Sequence, residues 1–171
     1  VRSFKALKTG AEDMTAKKSQ LGIEGVFAST SLSSSEDWRW QTHLLNVPLY
    51  YELKDNTDYD DATLAGLNSK EIALRFSENY KNIFDLYITD SVIPAKNVGV
   101  KTVDNSMAEF ALEECAMVQN GNWAWGQISG VSGNKVKAEN VKYLPIYTGV
   151  AGEEGQGLCI GTENFYCINK K

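Results

Sequence analysis

The chain has 171 residues, of which 43% are apolar and 23% charged, and its net charge is −5 at pH 7. This length suits one domain with its own core, and the composition does not indicate a disordered chain. The acidic balance disfavours a nucleic-acid partner, since Lys and Arg supply most of that affinity, and no apolar run approaches the roughly 20 residues of a membrane helix.

The first elements are a helix and a strand. Residues Phe4 to Lys18 have the composition of an amphipathic surface helix, interrupted only by Gly10. Residues 22–28 (GIEGVFA) predict a strand, and residues 29–35 form a Ser/Thr-rich loop. Loops that follow strands often line ligand clefts in α/β proteins. The alternative, a loop that is merely solvated, stays open.

The next segment, Asp37 to Leu53, is the most aromatic part of the chain. It predicts a helix with Trp40, Leu44 and Leu45 on its buried face, which Pro48 interrupts or bends. The single histidine, His43, lies inside this helix, where a structural role is expected.

Trp38 and Arg39 fall near the start of the same helix, beside the Ser-rich loop. An aromatic ring and a guanidinium at such a place suit the faces and hydroxyls of a sugar. The same two residues could equally serve packing and a surface ion pair.

Residues 54–61 (KDNTDYDD) form an acidic loop, which lacks the glycine and glutamate spacing of a calcium loop. Asn68 and Glu71 then make a capping box for a long helix that reaches about Thr89. Its aromatic stripe is expected to pack in the core. An irregular connection with Pro94 follows.

The segment Ser106 to Ile128 combines several signals. Ser106 and Glu109 have the spacing of a capping box, and residues 115–118 (CAMV) predict a short buried strand. A turn at 119–121 follows, and Asn122 is expected to cap a helix that opens on Trp123. An aromatic residue at a strand-to-helix turn is well placed to meet a ligand, whereas Trp125, further along the helix, is as well suited to the core.

The last third predicts an exposed loop at 129–139 and a strand at Val141–Tyr147. A final strand, Leu158 to Ile168, is broken by the polar run 161–164 (GTEN), which indicates a hinge or a binding edge. Helices thus alternate with short apolar strands, and this order predicts an α/β domain.

No catalytic or cofactor chemistry is indicated. The nucleophile-elbow, P-loop and dinucleotide motifs are absent. Cys115, Cys159 and Cys167 have no metal-ligand spacing, and their odd number argues against a disulfide framework, so we expect buried free thiols. We therefore predict no metal, no cofactor and no enzymatic activity.

A family resemblance extends this interpretation. The run ALEECAMVQNGNWAWGQI, followed by YLPIYTG and GLCIGTENFYCIN, resembles the extracellular solute-binding proteins of sugar ABC transporters, the maltose-binding-protein-like family 1. The N-G-x-W-x-W part is fairly specific, and the resemblance follows most of the chain in order. Proteins of this family close two α/β lobes on a sugar like a clamp.

The resemblance implies one lobe of a periplasmic-binding-protein-like type II fold, a central mixed sheet flanked by helices. Residues 1–171 would form the second lobe, with 157–171 as the strand that returns toward the missing first lobe. The chain begins without an initiator Met or a signal peptide, in keeping with a fragment.

By the same resemblance, Trp123 matches the tryptophan that stacks on sugar, and Trp38 or Trp40 falls near the other aromatic contact. Glu163 and Asn164 become candidates for binding sugar hydroxyls. The implied partners are a sugar ligand, an oligosaccharide, and the membrane permease subunits of an ABC importer. The protein would be a monomer and extracytoplasmic, either a cell-surface lipoprotein or periplasmic.

Two other functions remain open at this point. The same aromatics, together with abundant Asp and Glu, would suit a glycan-acting enzyme domain. An exposed aromatic patch would also suit a protein-interaction module.

Overall fold

The structure, a computed structural model, describes residues 1–53, 75–159 and 168–169. These residues form a helix-rich molecule with one sheet of two parallel strands. The α-helices are α1 (Phe4–Ala16), α2 (Lys18–Leu21), α3 (Asn46–Leu53), α4 (Ser77–Thr89), α5 (Val103–Ala111) and α6 (Ala124–Ser129). The strands are β1 (Gly25–Phe27) and β2 (Cys115–Met117). A π-helical segment (Arg39–Leu44) and 3₁₀ turns at Ala95–Val100, Ala138–Asn140 and Glu153–Gly155 join them.

Helix α1 confirms the first predicted helix. The Ser3 side chain caps it by accepting a hydrogen bond from the Ala6 backbone N–H at 3.2 Å. The helix then continues through Gly10 to Ala16. Leu7 and Ala11, four residues apart and therefore on one face, are buried against the sheet.

The parallel pair of strands lies at the centre of the core. Gly25 of β1 pairs with Cys115 of β2, and Phe27 pairs with Met117. Both strands are shorter than the sequence predicts. The buried Cys115 thiol has its pKa raised by loss of solvation, so it behaves as a small apolar side chain.

The main core surrounds this sheet. Side chains from α1, β1, the π-helical segment and α4 pack together: Leu7, Ala11, Val26, Phe27, Trp40, Leu44, Ile83, Leu86 and Tyr87. A second cluster joins α5 to α6 through Met107, Ala111, Ala124 and Ile128. The aromatic stripe predicted for the long helix is thus in the core along α4, while the start of that helix and the acidic loop lie outside the described residues.

The segment 141–147 corrects the sequence analysis. Its alternating apolar residues predict a strand, but no strand forms there. Within the described residues β1 and β2 are the only strands, so the larger central sheet is not seen in that part of the chain. None of the described helices is both long enough and apolar enough to span a bilayer.

The starts of α5 and α6 also differ from expectation. Thr102 caps α5, because its side chain and that of Asn105 bond each other's backbone N–H groups in a capping box. Ser106 is instead buried inside the helix. Trp123, rather than Asn122, holds the cap position of α6, and it does so without a side-chain hydrogen bond.

One further expectation is confirmed and one needs correction. The helix predicted from Asp37 to Leu53 is interrupted, as expected from Pro48, which lacks an N–H for the Leu44 carbonyl, and it divides into the π-helical segment and α3. Cys159 is exposed rather than buried, and Cys167 lies outside the described residues.

Candidate functional site

The Ser-rich loop after β1 is held in place by side chains of α5. Ser29, Thr30 and Ser31 are buried, so the first half of this loop is not solvated. The Ser106 hydroxyl donates to the Ser29 carbonyl and lies 2.8 Å from the Ser31 hydroxyl, and Glu109 accepts the Ser29 backbone N–H at 2.6 Å. Ser31 adopts a φ of 50°, which non-glycine residues rarely adopt. This polar network therefore fixes the path from β1 to the aromatic segment.

Trp40 is part of the core. It is 3% exposed, and its indole N–H donates to the Thr30 carbonyl at 2.6 Å. The edges or faces of Phe84 and Tyr87 pack on its ring, with centroids at 4.7 and 5.7 Å. Because its ring and its N–H are both occupied, Trp40 presents no surface to a ligand.

Trp38 and Trp123 come together at the surface, although 85 positions of sequence separate them. Their ring centroids are 6.3 Å apart and the planes are inclined by 32°. Trp123 is 43% exposed, and Trp38 is half-buried. The structure thus brings together two of the four tryptophans, both predicted as ligand contacts.

The π-helical segment explains why Trp38 and Trp40 diverge. Residues five apart in such a helix share a face, and residues two apart lie near opposite sides. His43 is five positions after Trp38 and meets its ring edge-on at 5.0 Å. Trp40 therefore faces the core while Trp38 and His43 face outward.

His43 links the two tryptophans, a role that the sequence did not reveal. Its ring centroid lies 5.6 Å from that of Trp123, and its Nδ1 is 3.1 Å from the Gln119 side-chain nitrogen. We call Trp38, His43 and Trp123 the tryptophan cluster. The five-residue spacing of Trp38 and His43 predicts that they share a face of the helix, but only if the helix is already known to be π-helical.

Arg39 packs against the Trp38 ring of the tryptophan cluster. The guanidinium carbon is 4.2 Å from the centre of the Trp38 ring, a cation–π contact. Nε donates to the Asn120 side-chain oxygen at 3.2 Å, and Nη1 donates to the Glu36 carbonyl at 3.3 Å. Burial lowers the pKa of Arg39, and the charge of Glu36 acts in the opposite direction.

The turn after β2 supplies the remaining polar groups. Asn120 accepts the Gly121 backbone N–H at 2.9 Å with the same oxygen that binds Arg39. A Cβ on Gly121 would lie 2.2 Å from two Trp123 ring atoms, so glycine at this position lets the indole rest against the turn. The N-G-x-W sequence is therefore explained by contact between the glycine and the ring.

A cavity of about 310 Å³ adjoins this turn. Trp125, Phe110, Tyr143 and Leu144 contribute to its apolar lining, and Gln119, Asn120 and Gly121 border it on the side of the turn. A groove of the size of small-molecule sites therefore lies next to the backbone that carries Trp123.

Of the predicted site residues, the structure groups Trp38, Arg39 and Trp123 and places Trp40 in the core. Glu163 and Asn164 lie outside the described residues. Comparisons of the chain with models of protein families, with curated proteins and with solved structures found no match.

Proposed function

We propose that this chain is a carbohydrate-binding lobe of a solute-binding protein, with a type II α/β fold. It holds a sugar against Trp38 and Trp123 and delivers it to the permease of an ABC importer. The proposed location is extracytoplasmic, and the proposed ligand is an oligosaccharide. No bond is made or broken in this function.

One observation carries the proposal: the pairing of Trp38 with the 43% exposed Trp123 at the surface. Indole faces cover the apolar C–H face of a sugar ring, and neighbouring amides bond its hydroxyls. Gln119 and Asn120 provide those amides beside the rings. The rings are also held by His43 and Arg39, so little side-chain freedom is lost when a sugar stacks.

In the experiment, the protein is titrated with a panel of oligosaccharides while the indole N–H signals of its four tryptophans are monitored in ¹H–¹⁵N spectra. Trp→Phe substitutions assign each signal. We expect the Trp38 and Trp123 signals to shift with saccharide and the Trp40 signal to stay in place. The Trp40 signal is an internal control, because its N–H bonds the Thr30 carbonyl in the core.

Trp123→Ala tests the stacking directly by calorimetry. Removing a ring that covers the ligand should weaken saccharide binding by about 2 kcal/mol or more. Tyr50→Ala removes an exposed aromatic ring on α3 and should leave affinity unchanged. An unchanged affinity in Trp123→Ala, or release of reducing sugar from the oligosaccharides by the protein, would count against a transport lobe.

A further inference from the structure

Within the described part of the chain, Arg39 is a buried cation that forms no ion pair. Its side chain is 6% exposed, yet none of the ion pairs among the described residues includes it. Both of its hydrogen-bond acceptors are neutral oxygens, the Asn120 amide and the Glu36 carbonyl. Buried charges in proteins are usually paired, so this guanidinium is an exception that calls for a counter-ion.

The neighbouring carboxylate does not fill that role. Glu36 is turned toward the start of α5, where its side chain accepts the Val103 backbone N–H and the Ser33 hydroxyl. A carboxylate at this position also favours the helix dipole. Glu36 thus binds the start of α5 with its carboxylate and Arg39 with its main-chain carbonyl, and its charge acts on Arg39 without forming an ion pair within the described residues.

One nitrogen of the Arg39 guanidinium remains available to bind a ligand. Nη2 has no hydrogen bond within the described residues. The buried side-chain polar atoms that lack a partner there are Thr30 Oγ1 and Thr148 Oγ1, and Nη2 is not among them. It follows that Nη2 keeps contact with solvent. Nη2 is therefore open to a small anionic group.

We propose that the ligand of this site is an acidic saccharide, whose carboxylate or sulfate binds the Arg39 guanidinium while its ring stacks on the tryptophan cluster. This inference rests on the proposed function. Arg39 contacts the Trp38 ring, and that ring lies beside Trp123. An anionic group bound to Arg39 and a pyranose ring stacked on the indoles therefore belong to one ligand molecule. The planar fork of arginine matches the geometry of a carboxylate.

The experiment compares uronate oligosaccharides, sulfated oligosaccharides and neutral oligosaccharides by calorimetry. The methyl ester of each uronate ligand serves as its uncharged counterpart. We expect the acidic ligands to bind at least tenfold more tightly than the neutral ones, because hydrogen bonds to charged groups are the stronger kind. Raising the salt concentration should weaken the acidic ligands and leave the neutral ones unchanged.

Two substitutions locate the effect. Arg39→Gln should weaken acidic ligands about tenfold more than it weakens their methyl esters, since both ligands lose the support of the Trp38 ring but only the acidic one loses its counter-charge, whereas Arg39→Lys should keep part of the preference. Arg2→Gln removes an exposed arginine near the chain start and should change neither. The Trp40 indole signal checks that each variant is folded. If Arg39→Gln does not fold, the proposal is still tested on the unmodified protein, by comparing each uronate with its methyl ester and by the salt series.

The outcomes separate the two proposals. If neutral saccharides bind as tightly as acidic ones and depend on Trp123, the acidic ligand is wrong and the binding function stands. If Arg39→Gln weakens both ligand types alike, Arg39 has only a structural part. If no saccharide in any class binds, both proposals fail.

Discussion

At the scale of single residues, tryptophans within one short stretch have opposite environments. Trp38 and Trp40 are two positions apart, yet one contacts Trp123 at the surface and the other is enclosed by Phe84 and Tyr87. Side-chain chemistry does not distinguish them. The winding of the backbone does, and at Trp123 the absence of a Cβ on Gly121 plays the same part.

Gly121→Ala should displace the Trp123 ring. The new Cβ cannot occupy its position 2.2 Å from the ring, but the indole is a half-exposed side chain that can move. We therefore expect the Trp123 indole signal to shift and saccharide affinity to fall as in Trp123→Ala. The free energy of unfolding should change by only about 0.5 kcal/mol, as for surface substitutions.

Gly126→Ala is the control for this substitution. Apart from the neighbouring backbone of α6 itself, no atom of the described residues lies within 4 Å of a Cβ at that position, so alanine should stabilise the helix by about 0.5–1 kcal/mol and leave the Trp123 signal in place. A Gly121→Ala protein with an unchanged Trp123 signal would contradict the proposed contact.

At the scale of elements, β1 is enclosed on both sides. On one side the N–H of Ala28, just after β1, donates to the carbonyl of Met117 in β2, and on the opposite side the Val92 N–H donates to the Phe27 carbonyl. A Cβ on Gly25 would lie 2.5 Å from the backbone nitrogen of Val92. The glycine thus permits the close approach of the segment that follows α4.

Gly25→Ala should destabilise the protein by about 1–3 kcal/mol, the usual range for overpacking. Here the obstructing atoms are main chain, so relief requires the loss of backbone hydrogen bonds around β1. The free energy of unfolding in urea measures the effect. Gly99→Ala, at a place where a Cβ meets no atom within 4 Å, should be close to neutral, and equal stability of the two variants would show that the approach is not tight.

These elements also show what the sequence can predict. Local patterns identified α1 and β2, because periodicity and caps are properties of the segment itself. The pattern-based prediction failed at 141–147. Alternation of apolar and polar residues indicates an extended backbone, but a strand also requires a second strand as its hydrogen-bonding partner. It failed at Ser106 because Thr102 and Asn105 form a competing capping box. Ser106 is then used by the loop 77 positions away, which no local pattern contains.

The candidate site was predictable in its residue types and not in its construction. Trp38, Arg39 and Trp123 were identified by their places near turns and helix starts. The hydrogen bond of Arg39 to Asn120 and the contact of His43 with Gln119 depend on how the π-helical segment meets the turn after β2. The burial of Trp40 depends on its packing against Phe84 and Tyr87 of α4. Such contacts join segments that are far apart in the sequence.

At the scale of the whole molecule, one carboxylate joins the start of α1 to the 148–153 turn, which is far from it in the sequence. Glu153, 2% exposed, accepts the Phe4 backbone N–H at 2.6 Å and those of Thr148 and Gly149 at 2.8 Å each. Asn79 of α4 donates to the Thr148 carbonyl at 3.1 Å. The start of α1, the 148–153 turn and α4 therefore meet at a single buried side chain.

Glu153→Gln tests whether this junction stabilises the fold. An amide nitrogen replaces one carboxylate oxygen and faces N–H groups, so at least one buried donor loses its acceptor. The free energy of unfolding in urea should fall by about 1–3 kcal/mol, and hydrogen exchange at Phe4, Thr148 or Gly149 should become faster. Glu154→Gln, an exposed neighbour, should stay within about 0.5 kcal/mol of the unsubstituted protein. Equal stability of the two variants would mean that the three N–H groups find other partners, and that the start of α1 and the 148–153 turn are held together by apolar packing alone.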